Sequence, residues 1–362
     1  MSGRGPQAKS GLRAAAFPVA CARVHDVIEL TQALCAIPSV TGDEAAVVDE
    51  VARRLRAMGA HVTRQRVGDT PGRDNVLATA GAAPQVLFTT HLDTVPPFLP
   101  PRIEGGRLHG RGVIDAKGIA AAMLCAFERL LGAGETRVAI MFVVGEETDS
   151  DGAKAAAQGF MPKVRHFIDG EPTDGVLVSA MKGVMAFELA CEGKAAHSAY
   201  PEAGHSAVHQ LLGDLSRLLG EPWPATAEAG QTTLNVGLVE GGVAPNVLAP
   251  HAKAVCVMRT TTDAAALLGR VRALLAPSTT LTVRTQSGPQ RLVTLPGLPT
   301  KVVAFGSDVP HLSHRASGGP LLVGPGSILD AHTAHESVAL DELRAAVELY
   351  HTLARRLLEE TP

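Results

Sequence analysis

Short apolar runs that pass straight into charged loops constrain this chain more than any other feature. VLFTT at 86–90 leads into HLDTVPP, RVAIMFVV at 137–144 leads into GEETDSDG, and VRHFIDGEPTDG repeats the pattern with Glu171 directly after the run. Apolar runs without polar alternation suit strands covered on both faces, as in a parallel sheet flanked by helices. KGIAAAMLCAFERLLGAG lies between the first two runs and reads as the crossover helix. Open α/β sheets take their ligands beyond the carboxyl ends of the strands, which is where these charged loops fall.

The rest of the chain sorts around that frame. TGDEAAVVDEVARRLRAMG reads as a helix, with Thr41 and Glu44 spaced as a capping box, Val47, Val48, Val51, Leu55 and Met58 on one face, and Gly59 as its stop. Between about 179 and 288 the texture changes. VMAFELACEG, TLNVGLVEGG and AKAVCVMRT tend toward alternation, as in an antiparallel sheet with one exposed face, and HSAVHQLLGDLSRLLG reads as a helix among them. Beyond 288 the first texture returns, with PLLVGPG as strand and turn and a final helix marked by Leu340, Leu343, Val347, Tyr350 and Leu357. A chain of 362 residues favours two domains over one core. The expected fold class is therefore α/β, a mixed sheet flanked by helices over 25–178 and 289–362, interrupted by an α+β lid at 179–288.

Composition removes other classes of function. Lys+Arg 33 against Asp+Glu 36 gives a net charge of -3, which offers no broad basic surface for nucleic acid. Cys21, Cys35, Cys125, Cys191 and Cys256 are scattered without a CxxC pair, which suits reduced core thiols in a cytoplasm. No run approaches the ~20 apolar residues of a membrane span. Residues 1–24 are basic and end in small residues, but Arg13 and Pro18 interrupt the apolar stretch that an export signal needs. We expect a disordered extension there and a cytoplasmic protein.

His91 and Asp93 flank one residue, so on an extended segment their side chains leave the same face, as suits an imidazole metal ligand backed by a carboxylate. Asp115, Glu146, Glu147, Glu171 and His332 add oxygen and nitrogen donors, each in a segment of the kind that follows a strand. Any one of these acids alone would be read as a solvated surface charge. Together, at strand ends, they read as a metal centre of the donor type that zinc accepts.

HLDTVPP, GRGVIDAKG, GEETDSDG, DGEPTDG, GKAAHSAYP, GGVAPNV and GPGSILDAHTAHE, in that order from about residue 27 to 355, resemble the signatures of the M20 metallopeptidases, and within them the branch of acetylornithine deacetylase and succinyl-diaminopimelate desuccinylase. The resemblance implies a zinc-dependent exopeptidase-like fold and two zinc ions per subunit, with cobalt or manganese as possible substitutes. It makes His91 and Glu171 ligands of one ion, Glu147 and His332 ligands of the other, Asp115 the bridge, Glu146 the general base and Asp93 the partner of His91. His197 resembles a histidine that reaches across from a partner subunit toward the oxyanion, which implies a homodimer with a lid that also dimerises; a structural loop histidine is the alternative. Asn246 and Arg259 resemble positions that hold the substrate's polar end, a structural ion pair being the alternative for Arg259. Lys182, Asp308 and the Gly324–Gly326 turn are further candidates for the pocket wall, while His205 and His209 read as surface residues.

One departure is visible. Ala334 and His335 stand where related sequences often carry Pro and then Asp or Asn, so His335 is a possible competitor of His332 as ligand. The expected activity is hydrolysis of the amide of an N-acyl amino acid such as N-acetylornithine, in arginine or lysine biosynthesis. Alternatives are a succinyl-diaminopimelate desuccinylase, an acetyl-lysine or acetylcitrulline deacetylase, a dipeptidase, or a non-catalytic metal-binding homologue.

Overall fold

The computed structural model describes residues 25–359; the expected extension over 1–24 and Cys21 lie outside them. A six-stranded mixed sheet forms the larger part of the molecule, in the order His61–Arg66, Asp74–Thr79, Val138–Val143, Val86–His91, His166–Asp169, Pro320–Leu322. Neighbours are parallel from Val138–Val143 onward, and Asp74–Thr79 pairs antiparallel with the strand on each side of it. His61–Arg66 and Asp74–Thr79 did not stand out in the apolar pattern, because the first is a partly exposed edge strand and both carry polar residues.

Side-chain parity shows why the central strands read as unbroken apolar runs. Val86, Phe88, Ile140, Phe142 and Ile168 face one cluster, while Leu87, Ala139, Met141, Val143 and Phe167 face another on the opposite side. Successive residues of a strand point to opposite faces, so a strand with two buried faces has no polar position to show. The first cluster is closed by helices Val27–Cys35, Ala45–Ala57, Lys117–Gly132 and Leu340–Glu359. With few aromatics, this layer relies on small residues: Ala120, Ala121, Ala122 and Ala126 are wholly buried and let neighbouring elements approach closely. Tyr350 stands edge-on to Phe88 at 6.0 Å and donates its hydroxyl to the Val323 carbonyl at 2.8 Å.

The expected capping box does not form. Helix Ala45–Ala57 starts at Glu44, whose side chain makes no capping bond, and Thr41 gives its hydroxyl to Asp93 instead. Glu44 is fully buried against Arg73, so a tertiary ion pair has taken the side chain that local spacing assigned to the helix end. The stop behaves as read: Gly59 has φ +83, and Ala60 donates back to the Leu55 carbonyl.

A second, antiparallel sheet occupies the altered texture, in the order Thr233–Gly241, His251–Thr260, Gly183–Glu192, Thr280–Ser287. Its inner face packs with helices Ala207–Gly220 and Ala264–Leu274 around a separate apolar cluster that includes Phe187, Leu211, Leu215 and Met258. Alternate positions of Gly183–Glu192 and His251–Thr260 are buried, the pattern of a sheet with one wet face. Cys35, Cys125, Cys191 and Cys256 are buried free thiols, and burial raises Cys35 to about 12. Among the described residues, no helix is long and apolar enough to cross a membrane.

Candidate metal centre

The carboxyl ends of the parallel strands gather the acidic and imidazole groups. His91 ends its strand, Glu146 and Glu147 follow Val138–Val143, and Glu171 follows His166–Asp169. Asp115 stands directly before Ala116, the N-cap residue of helix Lys117–Gly132, and His332 lies in the loop after Pro320–Leu322 with φ +62. Donor atoms of His91, Asp115 and Glu171 lie within 4.8 Å of one another, and so do those of Asp115, Glu147 and His332. Asp115 belongs to both groups, as a bridging carboxylate must.

Single contacts set the direction of each donor. The His91 Nδ1–H donates to the Asp93 backbone carbonyl at 3.0 Å, which leaves Nε2, 3.0 Å from Asp115 Oδ1, as the nitrogen that faces the centre. The Asp93 carboxylate does more than back the imidazole from 3.4 Å. Its two oxygens accept the backbone N–H of Glu146 and of Glu147, each at 3.1 Å, and the Thr41 hydroxyl at 2.8 Å. It therefore ties the His91 loop to the glutamate doublet. On the other side, His332 Nε2 lies 3.1 Å from Asp115 Oδ2 and 3.0 Å from Glu147 Oε2.

The electrostatics are those of a site built for added positive charge. Burial pushes the Glu171 carboxyl well above the usual carboxylate range, and Glu146 and Asp115 beside it push the same way. Glu146 is also raised well above its ordinary value, first by burial and then by Asp308, Asp115 and Glu147, against the lowering effect of His91. His332 is raised to about 10 by its hydrogen bonds to Asp115 and Glu147. Carboxylate and imidazole donors at this density fit a pair of divalent ions of the zinc type.

Two residues outside the expected site, Glu336 and Thr41, complete the frame. Glu336, almost wholly buried, accepts N–H bonds from Gly112 at 2.9 Å and Ile114 at 3.1 Å, and pairs with Arg111 at 2.6 Å. It thus ties the Asp115 loop to the His332 loop. The visible signal was the last glutamate of AHTAHE. Thr41 had been given to a helix cap, and nothing in its spacing pointed to Asp93.

The remaining candidates divide. Gly324 packs directly behind Glu171, whose carbonyl would stand 2.5 Å from an added Cβ. Asp308 is buried, and burial raises it to about 6. Lys182 donates to the Gln231 carbonyl and has its own partner outside the centre. Exposed His335 uses its backbone N–H on the Thr333 hydroxyl, and its ring belongs to neither donor group. His205 and His209 are exposed, as expected.

His197, Asn246 and Arg259 sit on the second sheet and its loops. His197 pairs by backbone with Val247 and is exposed, and its Nδ1 accepts the Ala199 N–H at 3.2 Å, so a neutral ring carries its hydrogen on Nε2. Exposed Asn246 gives its backbone carbonyl to Ser198. Arg259 is partly buried, burial lowers its pKa, and among the described residues no carboxylate pairs with it. The structural ion pair is therefore absent there.

A bridged pair of donor triads at the carboxyl edge of a mixed α/β sheet, with a free glutamate beside it, defines the class of metal-dependent hydrolases. The comparisons narrow that class, since the model for peptidase family M20/M25/M40 matches residues 87–356. A probable carboxypeptidase of Aspergillus terreus is 37% identical over 369 residues, covering 88% of this chain and 84% of its own. The chain belongs to the M20 peptidase family. Solved structures agree in fold: a tripeptidase of Staphylococcus aureus superposes with TM-score 0.79 at 21% identity, covering 92% of this chain and 99% of its own. A dinuclear metal-binding M20 peptidase of Bacillus subtilis gives 0.71 at 15% identity, covering 92% and 98%. These findings make the chain a metallopeptidase-family hydrolase with an α/β fold; the acetylornithine branch is a narrower matter.

Proposed function

We propose that the protein hydrolyses a linear amide whose amine side is an amino acid with a free carboxylate, the bond common to N-acyl amino acids and to the last residue of a peptide. The observation that carries this reading is a partly buried Arg259, without a carboxylate partner among the described residues, on the sheet whose loops carry His197 and Asn246. A guanidinium without a protein carboxylate suits a substrate carboxylate, which it can grip with two parallel hydrogen bonds. The carboxypeptidase name of the relative at 37% identity supports the same orientation of substrate.

In this reading His91, Asp115 and Glu171 hold one ion, and Asp115, Glu147 and His332 the other. When bound, such a pair supplies Lewis acidity, polarising a carbonyl and acidifying water. Glu146, adjacent to Glu147 and free of a protein hydrogen-bond donor to its carboxylate among the described residues, takes the proton of the attacking water and returns it to the leaving nitrogen. His197 donates its Nε2–H to the oxyanion, an interaction of about 3 kcal/mol for a well-placed donor. It does so from the partner of a homodimer whose lid sheet buries Leu238 and Val239, both more than half exposed here. Residues 179–288 then act as lid and dimerisation domain, closing on 25–178 and 289–362. The buried thiols support a cytoplasmic setting.

N-acetylornithine, in arginine or lysine biosynthesis, is the narrower form of this proposal. The test is turnover by zinc-loaded protein on acetyl-ornithine, acetyl-lysine, acetyl-citrulline, succinyl-diaminopimelate and dipeptides with free or amidated C-termini. Chelator-sensitive cleavage restricted to substrates with a free carboxylate is expected. Equal cleavage of the amidated peptides would overturn the carboxylate reading, and preference for another acyl group would replace ornithine.

A further inference from the structure

The turn between strand Val138–Val143 and Asp151 carries both glutamates of the doublet, and it is pinned from outside the centre. Arg73, 8% exposed, donates Nη2 to Asp151 Oδ1 at 2.8 Å and Nη1 to Oδ2 at 2.5 Å, while its Nε lies 3.2 Å from both Glu44 oxygens. Two residues on, Asn75 holds the ends of the same turn: its Oδ1 accepts the Val144 N–H at 3.2 Å, and its Nδ2 donates to the Gly152 carbonyl at 2.8 Å. Gly145 passes so close beneath the ion pair that a Cβ would stand 2.1 Å from Asp151 Oδ1 and 2.3 Å from Arg73 Nη2, and its φ of +76 itself favours glycine.

We propose that Arg73 is a positioning residue for the glutamate doublet: its guanidinium, locked between Glu44 and Asp151, fixes the Gly145–Asp151 turn so that Glu147 meets the second metal and Glu146 faces the scissile amide. This rests on the metal reading above. A buried ion pair gives little net stability over apolar packing, so stability alone is a weak reason for a guanidinium here. Direction is a better one, because two forked bonds and a third along Nε fix the plane of the group, which an ammonium on the same stem does not do. With Asp93 holding the amides of Glu146 and Glu147, the turn is fixed at both ends, along one side and at its tip.

The test is metal content and steady-state kinetics of the full-length, zinc-loaded protein beside Arg73→Lys and Asp151→Asn. Both variants should keep the ion held by His91, Asp115 and Glu171, lose most of the second, and drop kcat about tenfold to a hundredfold with KM within about twofold, the signature of lost transition-state geometry. A merely structural role would lower the unfolding temperature and leave stoichiometry and kcat of the folded protein unchanged. If Arg73→Lys does not fold, Asp151→Asn, whose side chain is 34% exposed, decides alone. Folded variants with both metals and wild-type kcat overturn the proposal. Wild-type protein that binds two metals yet cleaves none of the amides sinks the substrate reading and leaves the clamp to be judged by metal count.

Discussion

The large sheet and the small one hold their candidate site residues in opposite ways. Around the metal centre the donors are held by neighbours outside the donor set: His91 by the Asp93 carbonyl, the doublet's backbone by the Asp93 carboxylate, the Asp115 loop by Glu336. On the small sheet, His197 and Asn246 are exposed and Arg259 is unpaired, and no hydrogen bond joins any of the three to the metal-side groups among the described residues. Metal ligands must be preorganised because the carboxylates of Asp115, Glu147 and Glu171 do not converge without support. Substrate-holding groups have to stay open until substrate or a partner subunit arrives. On the proposed reading, the metal-binding half of the site is complete in one chain, and the substrate-binding half stays open until substrate or a second subunit arrives.

Substitutions can break that contrast. The largest effect should come from the fixed half. Glu146→Gln should bind two metals and lose about 10² to 10⁴ in kcat, the range for a removed general base, whereas Glu147→Gln should lose metal first. Metal analysis alongside kinetics checks both, and identical behaviour of the two variants would undo the division of labour within the doublet. His197→Ala, from the open half, should cost about 10² to 10³ in kcat at full metal content. Mixing it with a Glu146→Gln protein should recover activity if the histidine acts across a dimer, and no recovery on mixing would return it to its own subunit. Arg259→Lys keeps the charge and removes the fork. A rise in KM of about tenfold, near 1.4 kcal/mol, with kcat little changed is expected, and an unchanged KM for free-carboxylate substrates would discharge Arg259 from that role.

The same contrast explains what could be read before the fold was seen. His91, Asp115, Glu147, Glu171 and His332 were legible because each follows a strand or opens a helix, so local pattern and site coincide. Asp93 was half legible. Its place beside His91 was visible, but its bonds to the amides of Glu146 and Glu147 cross 53 and 54 residues of chain. Arg73 was illegible for the same reason, and Glu336 showed only as the last letter of AHTAHE: a charged residue in a polar loop looks solvated until the fold shows that it is buried. The Thr41 and Glu44 spacing misled because a helix-capping pattern is local, while both side chains answer to partners brought in by the sheet. Parallel strands and the Ala-rich helix came through because burial on both faces erases polar positions from the sequence itself.

The smallest expected effect bears on Ala334 and His335, where the sequence departs from the signature it otherwise resembles. His335 sits three residues after His332 with its ring exposed, and the donor group of Asp115 and Glu147 closes on His332 alone. Moving the imidazole of His335 into that group would require the loop to give up the Thr333 turn and the anchoring of Glu336 directly after it, whose buried carboxylate holds Arg111, Gly112 and Ile114. Breaking buried, charge-assisted bonds of that kind costs about 3 kcal/mol or more, too much for an exposed ring to recover by replacing an equivalent ligand. His335→Ala should therefore leave metal content unchanged and kcat within about twofold, while His332→Ala empties the second position. Metal loss in His335→Ala would show that the loop rearranges on binding and that the two histidines exchange roles.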